Sequence, residues 1–118
     1  MDASVSVPGG SRTLNGKLTL IGLTSERTIL LTLPGNMFVI SGTGSALSLG
    51  QNITLQGMNN NTALVQVSSD GTLTMETGAK IAGNTNGSGG NGGGVMIANN
   101  GTFTIENTIV VIAGFLTP

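Results

Sequence analysis

The sequence predicts an all-β domain folded as a right-handed parallel β-helix, or β-solenoid, of about four coils. Three stretches repeat one phrase, a glycine followed by alternating apolar and small polar residues, at 44–49, 71–75 and 101–105. Within this phrase Leu73 follows Leu47 by 26 residues, and Phe103 follows Leu73 by 30. A repeat of this length without the 3.6-residue period of a helix is typical of one coil of strands per repeat.

The elements follow from alternation of apolar and hydroxyl residues. Triplets such as Leu18-Thr19-Leu20 and Ile53-Thr54-Leu55 place apolar side chains on one face of a strand and hydroxyls on the other. They predict coils over residues 17–40, 46–67 and 72–97 and a last, partial coil over 102–115. Residues 1–16 are predicted to be an irregular N-terminal lead or cap, and 17–118 the β-helix domain. A glycine-rich loop at 86–94 accounts for the longer second interval.

In-phase recurrence favours the solenoid over an antiparallel meander, for which residues 68–71 would serve as a hairpin loop. A meander gives no reason for three apolar columns to recur in phase. In stacked coils, successive residues of one column lie on neighbouring strands, about 4.8 Å apart. The predicted columns are Leu47, Leu73 and Phe103; Leu49, Met75 and Ile105; and Leu55, Ile81 and Val111. We also expect Gly44, Gly71 and Gly101 to supply a left-handed backbone at one corner.

Composition excludes several function classes. Only 8% of the residues are charged, the net charge is −1, and the four basic residues are scattered, which argues against nucleic acid as a partner. The absence of cysteine and histidine removes thiolate metal sites and the commonest metal ligand and general base. The longest apolar run, 109–116, is too short to span a membrane. We therefore expect no enzyme activity, no metal and no cofactor.

The repeat phrase resembles that of bacterial right-handed β-helix surface proteins, which are adhesin-like or autotransporter-passenger-like. The resemblance rests on residues 71–75, 80–85, 92–95 and 100–104 and covers residues 44–107. It departs from the chlamydial polymorphic outer-membrane variety because Glu106 stands where that pattern has asparagine. The resemblance implies an extracellular or cell-surface location in a bacterium. It also implies a structural or adhesive function, with a host or cell-surface ligand as one class of partner.

One candidate binding face consists of outward residues that recur between coils, namely Thr72, Thr74, Thr102, Thr104, Glu76 and Glu106. The two glutamates would stand about 5 Å apart on adjacent coils, a separation compatible with the carboxylate pair of a retaining glycosidase. The threonine pairs are similar to the threonine ladders of ice-binding solenoids. The alternatives are therefore a carbohydrate-binding or carbohydrate-cleaving β-helix and an ice binder, whereas solvated surface side chains are the simpler interpretation.

A second candidate surface, for self-association, lies in the last apolar run. Its residues are Ile109, Val110, Val111, Ile112, Phe115 and Leu116. An apolar solenoid end without a polar cap is a template for association, and a head-to-tail contact that does not close produces a filament. The alternative is that Phe115 and Leu116 fold back as a small cap. The predicted function is a non-enzymatic structural or adhesive surface module that self-associates end to end into a fibre.

Overall fold

All strand pairings between the described residues are parallel in the computed structural model of the protein. The structure describes residues 4–10, 12–85 and 93–105, together with the backbone of 111–112 and 115–116. Each strand pairs with the third strand after it, and successive strands belong to different sheets. The chain therefore winds as a β-solenoid with three strands per coil, which confirms the predicted fold class.

The strand boundaries follow the predicted coils. Two strands come first, β1 (Val5–Pro8) and β2 (Thr13–Leu14). The first coil holds β3 (Lys17–Leu20), β4 (Arg27–Leu33) and β5 (Phe38–Ser41). The second holds β6 (Ala46–Leu49), β7 (Ile53–Gln56) and β8 (Val65–Ser68). The third holds β9 (Thr72–Met75), β10 (Lys80–Ala82) and β11 (Val95–Ile97). The last holds β12 (Thr102–Ile105), β13 (Val111–Ile112) and β14 (Phe115–Leu116).

Three sheets form the walls of the solenoid. Sheet A contains β1, β4, β7, β10 and β13, and sheet B contains β2, β5, β8, β11 and β14. Sheet C contains only β3, β6, β9 and β12 in the part of the chain that the structure describes. Buried and half-buried side chains alternate along β6 and β9, as expected for strands that cover one core.

The core consists of rows of apolar side chains stacked between coils. Leu47 pairs with Leu73, which pairs with Phe103, and the row of Leu49, Met75 and Ile105 follows the same register. The first two predicted columns are therefore confirmed. Leu73 and Met75, in the middle of these rows, are completely buried, because each is covered by its counterparts on the coils before and after it.

The third predicted column is wrong at its last member. Leu55 pairs with Ile81 as predicted, but Ile81 pairs with Ile112, and Val111 pairs with Lys80. The connection into β13 is one residue longer than its counterpart between β9 and β10, because Ile112 follows Ile105 by seven residues and Ile81 follows Met75 by six. In a strand, one extra residue moves each side chain to the opposite face.

The N-terminal lead contains regular structure instead of the predicted irregular conformation. Strand β1 pairs with β4, with Val5 opposite Ile29 and Val7 opposite Leu31, and β2 pairs with β5 through Leu14 and Ile40. Residues in this segment therefore extend sheets A and B by one strand each. The domain boundary at residue 17 stays a prediction.

The predicted left-handed backbone is confirmed at Gly44 but is wrong at Gly71 and Gly101. The left-handed residues before Gly71 are Ser69 and Asp70, with φ values of 48° and 68°, and Gly71 itself is not left-handed. A Cβ at Gly71 would lie 2.6 Å from the carbonyl oxygen of Ile40 on the preceding coil. Glycine is thus needed there for close approach of two coils.

Gly101 repeats this arrangement, whereas Gly44 does not. Asn99 and Asn100 are left-handed before Gly101, whose Cβ would lie 2.6 Å from the carbonyl oxygen of Val67. Gly44 is left-handed, with φ at 86°, and has open space around a Cβ. The register explains the difference, since Ala46 pairs with Thr72 and Ser45 therefore occupies the position of Gly71.

A buried pair of asparagines joins the coils at the corner between sheets A and B. Asn61 Nδ2 donates to Asn84 Oδ1 at 2.9 Å and to the carbonyl oxygen of Gly35 at 3.0 Å, and Asn61 Oδ1 accepts from the Gly35 amide at 2.6 Å. Asn84 Nδ2 donates to the carbonyl oxygens of Thr62 and Gly93. These amides satisfy backbone groups that this corner removes from water.

Candidate functional site

The predicted threonine pairs lie together on the outer surface of sheet C. Thr72 pairs with Thr102 and Thr74 with Thr104. Ser48 and Thr19 continue the second row toward the N-terminal end. We call the surface formed by these six side chains the hydroxyl face. Its hydroxyls repeat about every 4.8 Å between strands and about every 6.6 Å along a strand, so they form a regular polar lattice.

Only one of the two predicted glutamates can be placed. Glu76 directly follows β9, is half-buried, and donates its backbone N–H to the carbonyl oxygen of Leu49 at 2.9 Å. Glu106 lies outside the described residues. The 5 Å carboxylate separation that a retaining glycosidase would need therefore stays a prediction.

A separate ion pair lies on the outer surface of sheet A. Lys80 Nζ lies 3.7 Å from Glu26 Oε2, and the Thr54 hydroxyl donates to Glu26 Oε1 at 3.1 Å. Thr28, Thr54 and Lys80 share one row of the sheet. Both charged side chains are about half exposed, and an exposed pair of this kind contributes little to stability. Through these contacts Glu26, in the connection before β4, is bound to β7 and β10 of sheet A.

Two other features are absent from the described part of the chain. Three or more histidine, cysteine, aspartate or glutamate side chains do not come together there in a way that could hold a metal ion. Within the same residues there is no helix that could cross a membrane.

The predicted C-terminal association surface is described only in part. Ile109 and Val110 lie outside the described residues. Val111–Ile112 and Phe115–Leu116 are strands β13 and β14, which extend sheets A and B. Their side chains lie outside the description, so the association surface on this segment stays a prediction, as does the alternative of a small cap.

The opposite, N-terminal end of the solenoid carries an apolar surface that the sequence analysis did not identify. Val5 is 47% exposed, although Ile29 directly beneath it in the same row is 5% exposed. The same contrast holds for the other inward side chains of the outermost strands. Val7, Leu14, Leu18 and Leu20 are partly buried, and their partners on the next strand are buried. We call these five side chains the N-terminal apolar end.

The first coil carries further exposed apolar side chains. Of the large hydrophobic residues found exposed in the described structure, all but Ile105 lie between residues 5 and 33. Leu30 on the outer side of sheet A contributes with Val5 to an open groove of about 360 Å³. The other groove residues are Ser4, Ser6, Thr28 and Gln56. A concentration of exposed apolar surface at one place is a mark of an interaction site.

A signal for the N-terminal end is present in the sequence. Val5-Ser6-Val7 alternates like the other strands, and Ile29 follows Val5 by 24 residues, close to the interval between later coils. Pro8, Gly9 and Gly10 follow this segment and interrupt the alternation. In the structure the Gly9 N–H donates to the Leu33 carbonyl oxygen at 2.8 Å. The backbone after β1 therefore stays hydrogen-bonded to the first coil.

Comparison with known proteins gives no relative for this chain, because no family model, curated protein or solved structure matches it. The fold therefore defines the class of protein, a parallel β-solenoid of about four coils with three strands in each. Its candidate surfaces are the hydroxyl face, the N-terminal apolar end and the outer side of the last coil.

Proposed function

We propose that this protein is a non-enzymatic structural module that self-associates through the ends of its solenoid. The observation that carries the proposal is the exposure of inward side chains at the N-terminal apolar end. A solenoid end exposes both apolar side chains and the outer side of its edge strands, and natural repeat proteins need polar caps to remain apart. Here the inward positions Val5, Val7 and Leu18 carry no polar residue.

The two ends of the solenoid are suitable partners for each other. All strands in each sheet run in the same direction, so a second copy stacked on the first can continue the parallel sheets. Such a contact is heterologous and therefore propagates into a fibre unless it closes into a ring. A fibre-forming or adhesive role at a bacterial cell surface is part of the proposal, supported by the resemblance of the repeat phrase to β-helix surface proteins.

Sedimentation velocity of the purified chain tests this function. We expect the weight-average sedimentation coefficient to rise with protein concentration, because association buries the apolar ends. Leu18→Lys places a charge within the N-terminal apolar end and is expected to shift the distribution toward the monomer.

The matched control is Gln51→Lys, which adds the same charge at an exposed position of a middle coil and should leave association unchanged. Circular dichroism of each variant establishes that the β-structure is retained. A wild-type chain that remains a monomer at every accessible concentration would remove the proposal, as would equal effects of the two lysines.

A second candidate function is binding of an ordered hydroxylated surface, either ice or a polysaccharide, by the hydroxyl face. The specific observation is the in-register pairing of Thr72 with Thr102 and of Thr74 with Thr104. We expect thermal hysteresis or retention on insoluble polysaccharide that is lost when Thr74 is replaced by lysine. If the wild-type chain shows neither property, this candidate is rejected, and the self-association proposal is unaffected.

A further inference from the structure

The dipeptide Asn-Gly occurs at two equivalent corners of the described structure, as Asn15–Gly16 and as Asn100–Gly101. Both asparagines are exposed, and both lie between a strand of sheet B and a strand of sheet C. Glycine has no Cβ to hinder approach to its backbone nitrogen. In an Asn-Gly dipeptide this nitrogen can attack the carbonyl carbon of the asparagine side chain. The two corners therefore offer the same chemistry in different backbone surroundings.

The corner at Asn100 is held in a hydrogen-bonded turn. The Gly101 N–H donates to the carbonyl oxygen of Ala98 at 2.9 Å, and Asn100 is left-handed, with φ at 65°. The following amide, of Thr102, donates to the carbonyl oxygen of Gly71 on the preceding coil, also at 2.9 Å. Attack by the Gly101 nitrogen requires loss of its proton and rotation of its peptide, and both break the hydrogen bond to Ala98. The turn therefore opposes the reaction.

The corner at Asn15 does not contain such a turn in the described structure. Only Asn15 and Gly16 connect β2 to β3, whereas the four residues 98–101 connect β11 to β12. Leu14, directly before Asn15, is an extended strand residue that pairs with Ile40, and Asn15 itself is not left-handed. The chain therefore cannot fold back here as it does before Gly101. The peptide between Asn15 and Gly16 lacks the restraint that opposes attack at the other corner.

We propose that Asn15 is a site of spontaneous deamidation in the folded chain, and that Asn100 is protected by its turn. The Gly16 nitrogen forms a bond to Cγ of Asn15, and the side-chain nitrogen leaves as ammonia, taking the amide proton of Gly16. The product is a cyclic succinimide. Water then adds to one of the two ring carbonyls, and ring opening gives aspartate or isoaspartate. The overall reaction consumes water and releases ammonia, without an oxidant, a reductant or an enzyme.

The modification changes both the charge and the length of this corner. The new carboxylate adds a negative charge to a chain whose net charge is −1. In isoaspartate the backbone runs through the side-chain carbonyl, so the connection between β2 and β3 becomes longer by a methylene group. The longer segment lies between Leu14 and the Gly16 carbonyl oxygen, which accepts from the Ala46 N–H at 2.9 Å. The corner is thus modified between two points that are fixed to the next coil.

Peptide mapping of the folded 118-residue chain during incubation at mildly alkaline pH tests the proposal. Trypsin cleaves after Arg12 and Lys17 and isolates residues 13–17, in which Asn15 is the only asparagine. Deamidation of Asn100 is followed in the C-terminal tryptic peptide, where mass-spectrometric fragmentation assigns the modified residue. We expect Asn15 to react about tenfold faster than Asn100, because that factor corresponds to the hydrogen bond broken at the protected corner.

Two controls separate the effect of the fold from that of the local sequence. In concentrated urea the turn at Asn100 is lost, so the two deamidation rates should converge. In the variant Asn15→Gln, glutamine would need a larger ring for the same attack. Its peptide 13–17 should therefore stay unmodified, while the rate at Asn100 remains unchanged. Circular dichroism establishes that this variant is folded.

The outcomes decide the inference without reference to self-association, because the rates are measured in dilute protein. Equal rates at Asn15 and Asn100 in the folded chain overturn it, as does faster reaction at Asn100. A preference for Asn15 that is undiminished in urea also overturns it, since the difference then comes from neighbouring residues in the sequence and not from the two corners. Faster reaction at Asn15 in the folded chain alone supports the inference.

Discussion

Replacing Asn84 by alanine is expected to lower the free energy of unfolding by about 3–5 kcal/mol. Asn84 is completely buried. Its Oδ1 accepts from the Met58 amide at 3.2 Å and from Asn61 Nδ2 at 2.9 Å, and its Nδ2 donates to the carbonyl oxygens of Thr62 and Gly93. Alanine leaves these donors and acceptors without their partner, and each unsatisfied buried group costs about 1–3 kcal/mol. Urea denaturation followed by circular dichroism measures the change.

The matched control for this prediction is Asn59→Ala. Asn59 belongs to the same corner of the solenoid but is exposed, and its described side-chain contact is a hydrogen bond at 3.2 Å from the Thr85 hydroxyl. We expect a loss below about 0.5 kcal/mol, as for an ordinary surface substitution. Similar losses for Asn59→Ala and Asn84→Ala would show that the buried amide pair does not hold the coils together.

The stacked core is the part of the fold that the sequence predicts well. Alternation gives the inward face of each strand, and recurrence of the phrase aligns Leu47, Leu73 and Phe103, which the structure places in one row. Alternation and recurrence are local or periodic patterns, so they can be recognised without knowledge of tertiary contacts. The column that fails, at Val111, does so because a single extra residue in a connection changes the face of the following strand.

The corners of the solenoid are less predictable because their residues serve contacts between coils. In the sequence Gly71 is typical of a flexible turn. In the structure a side chain at this position would clash with the Ile40 carbonyl oxygen of the neighbouring coil. Asn61 and Asn84 read as ordinary turn residues as well. Their burial and mutual hydrogen bond depend on stacking, and no local pattern distinguishes them from exposed residues such as Asn60.

One of the candidate surfaces can be predicted from the sequence, and another cannot. The threonine pairs of the hydroxyl face follow from period and alternation, and Thr72 pairs with Thr102 and Thr74 with Thr104 in the structure. The N-terminal apolar end could not be read in the same manner, because Val5 and Leu18 have the same inward pattern as buried residues further along the chain. Val5 and Leu18 are exposed because the described structure has no further strand packed over them. Sequence periodicity predicts which side of a strand faces inward, but not whether another strand covers it.

Replacing Leu73 by alanine is expected to lower the free energy of unfolding by about 3–4 kcal/mol, because it removes buried apolar contacts and opens a cavity in the stacked core. Leu73 is completely buried between Leu47 and Phe103 on the neighbouring coils. The same substitution at Leu18, the partly exposed end of that row, is expected to cost about 1 kcal/mol because less apolar surface is removed from the core. Urea denaturation at low protein concentration measures both.

The comparison of Leu73 with Leu18 also separates stacking from association. At low concentration Leu18→Ala changes only the monomer, so its small cost reflects the open end of the row. At high concentration the covering copy buries Leu18, and the cost of Leu18→Ala should rise toward that of Leu73→Ala, since ligands and partner subunits stabilise the state that they bind. A cost for Leu18→Ala that is independent of concentration would contradict burial of this end by a second copy, whereas equal costs at low concentration would show that the end is already covered in the monomer.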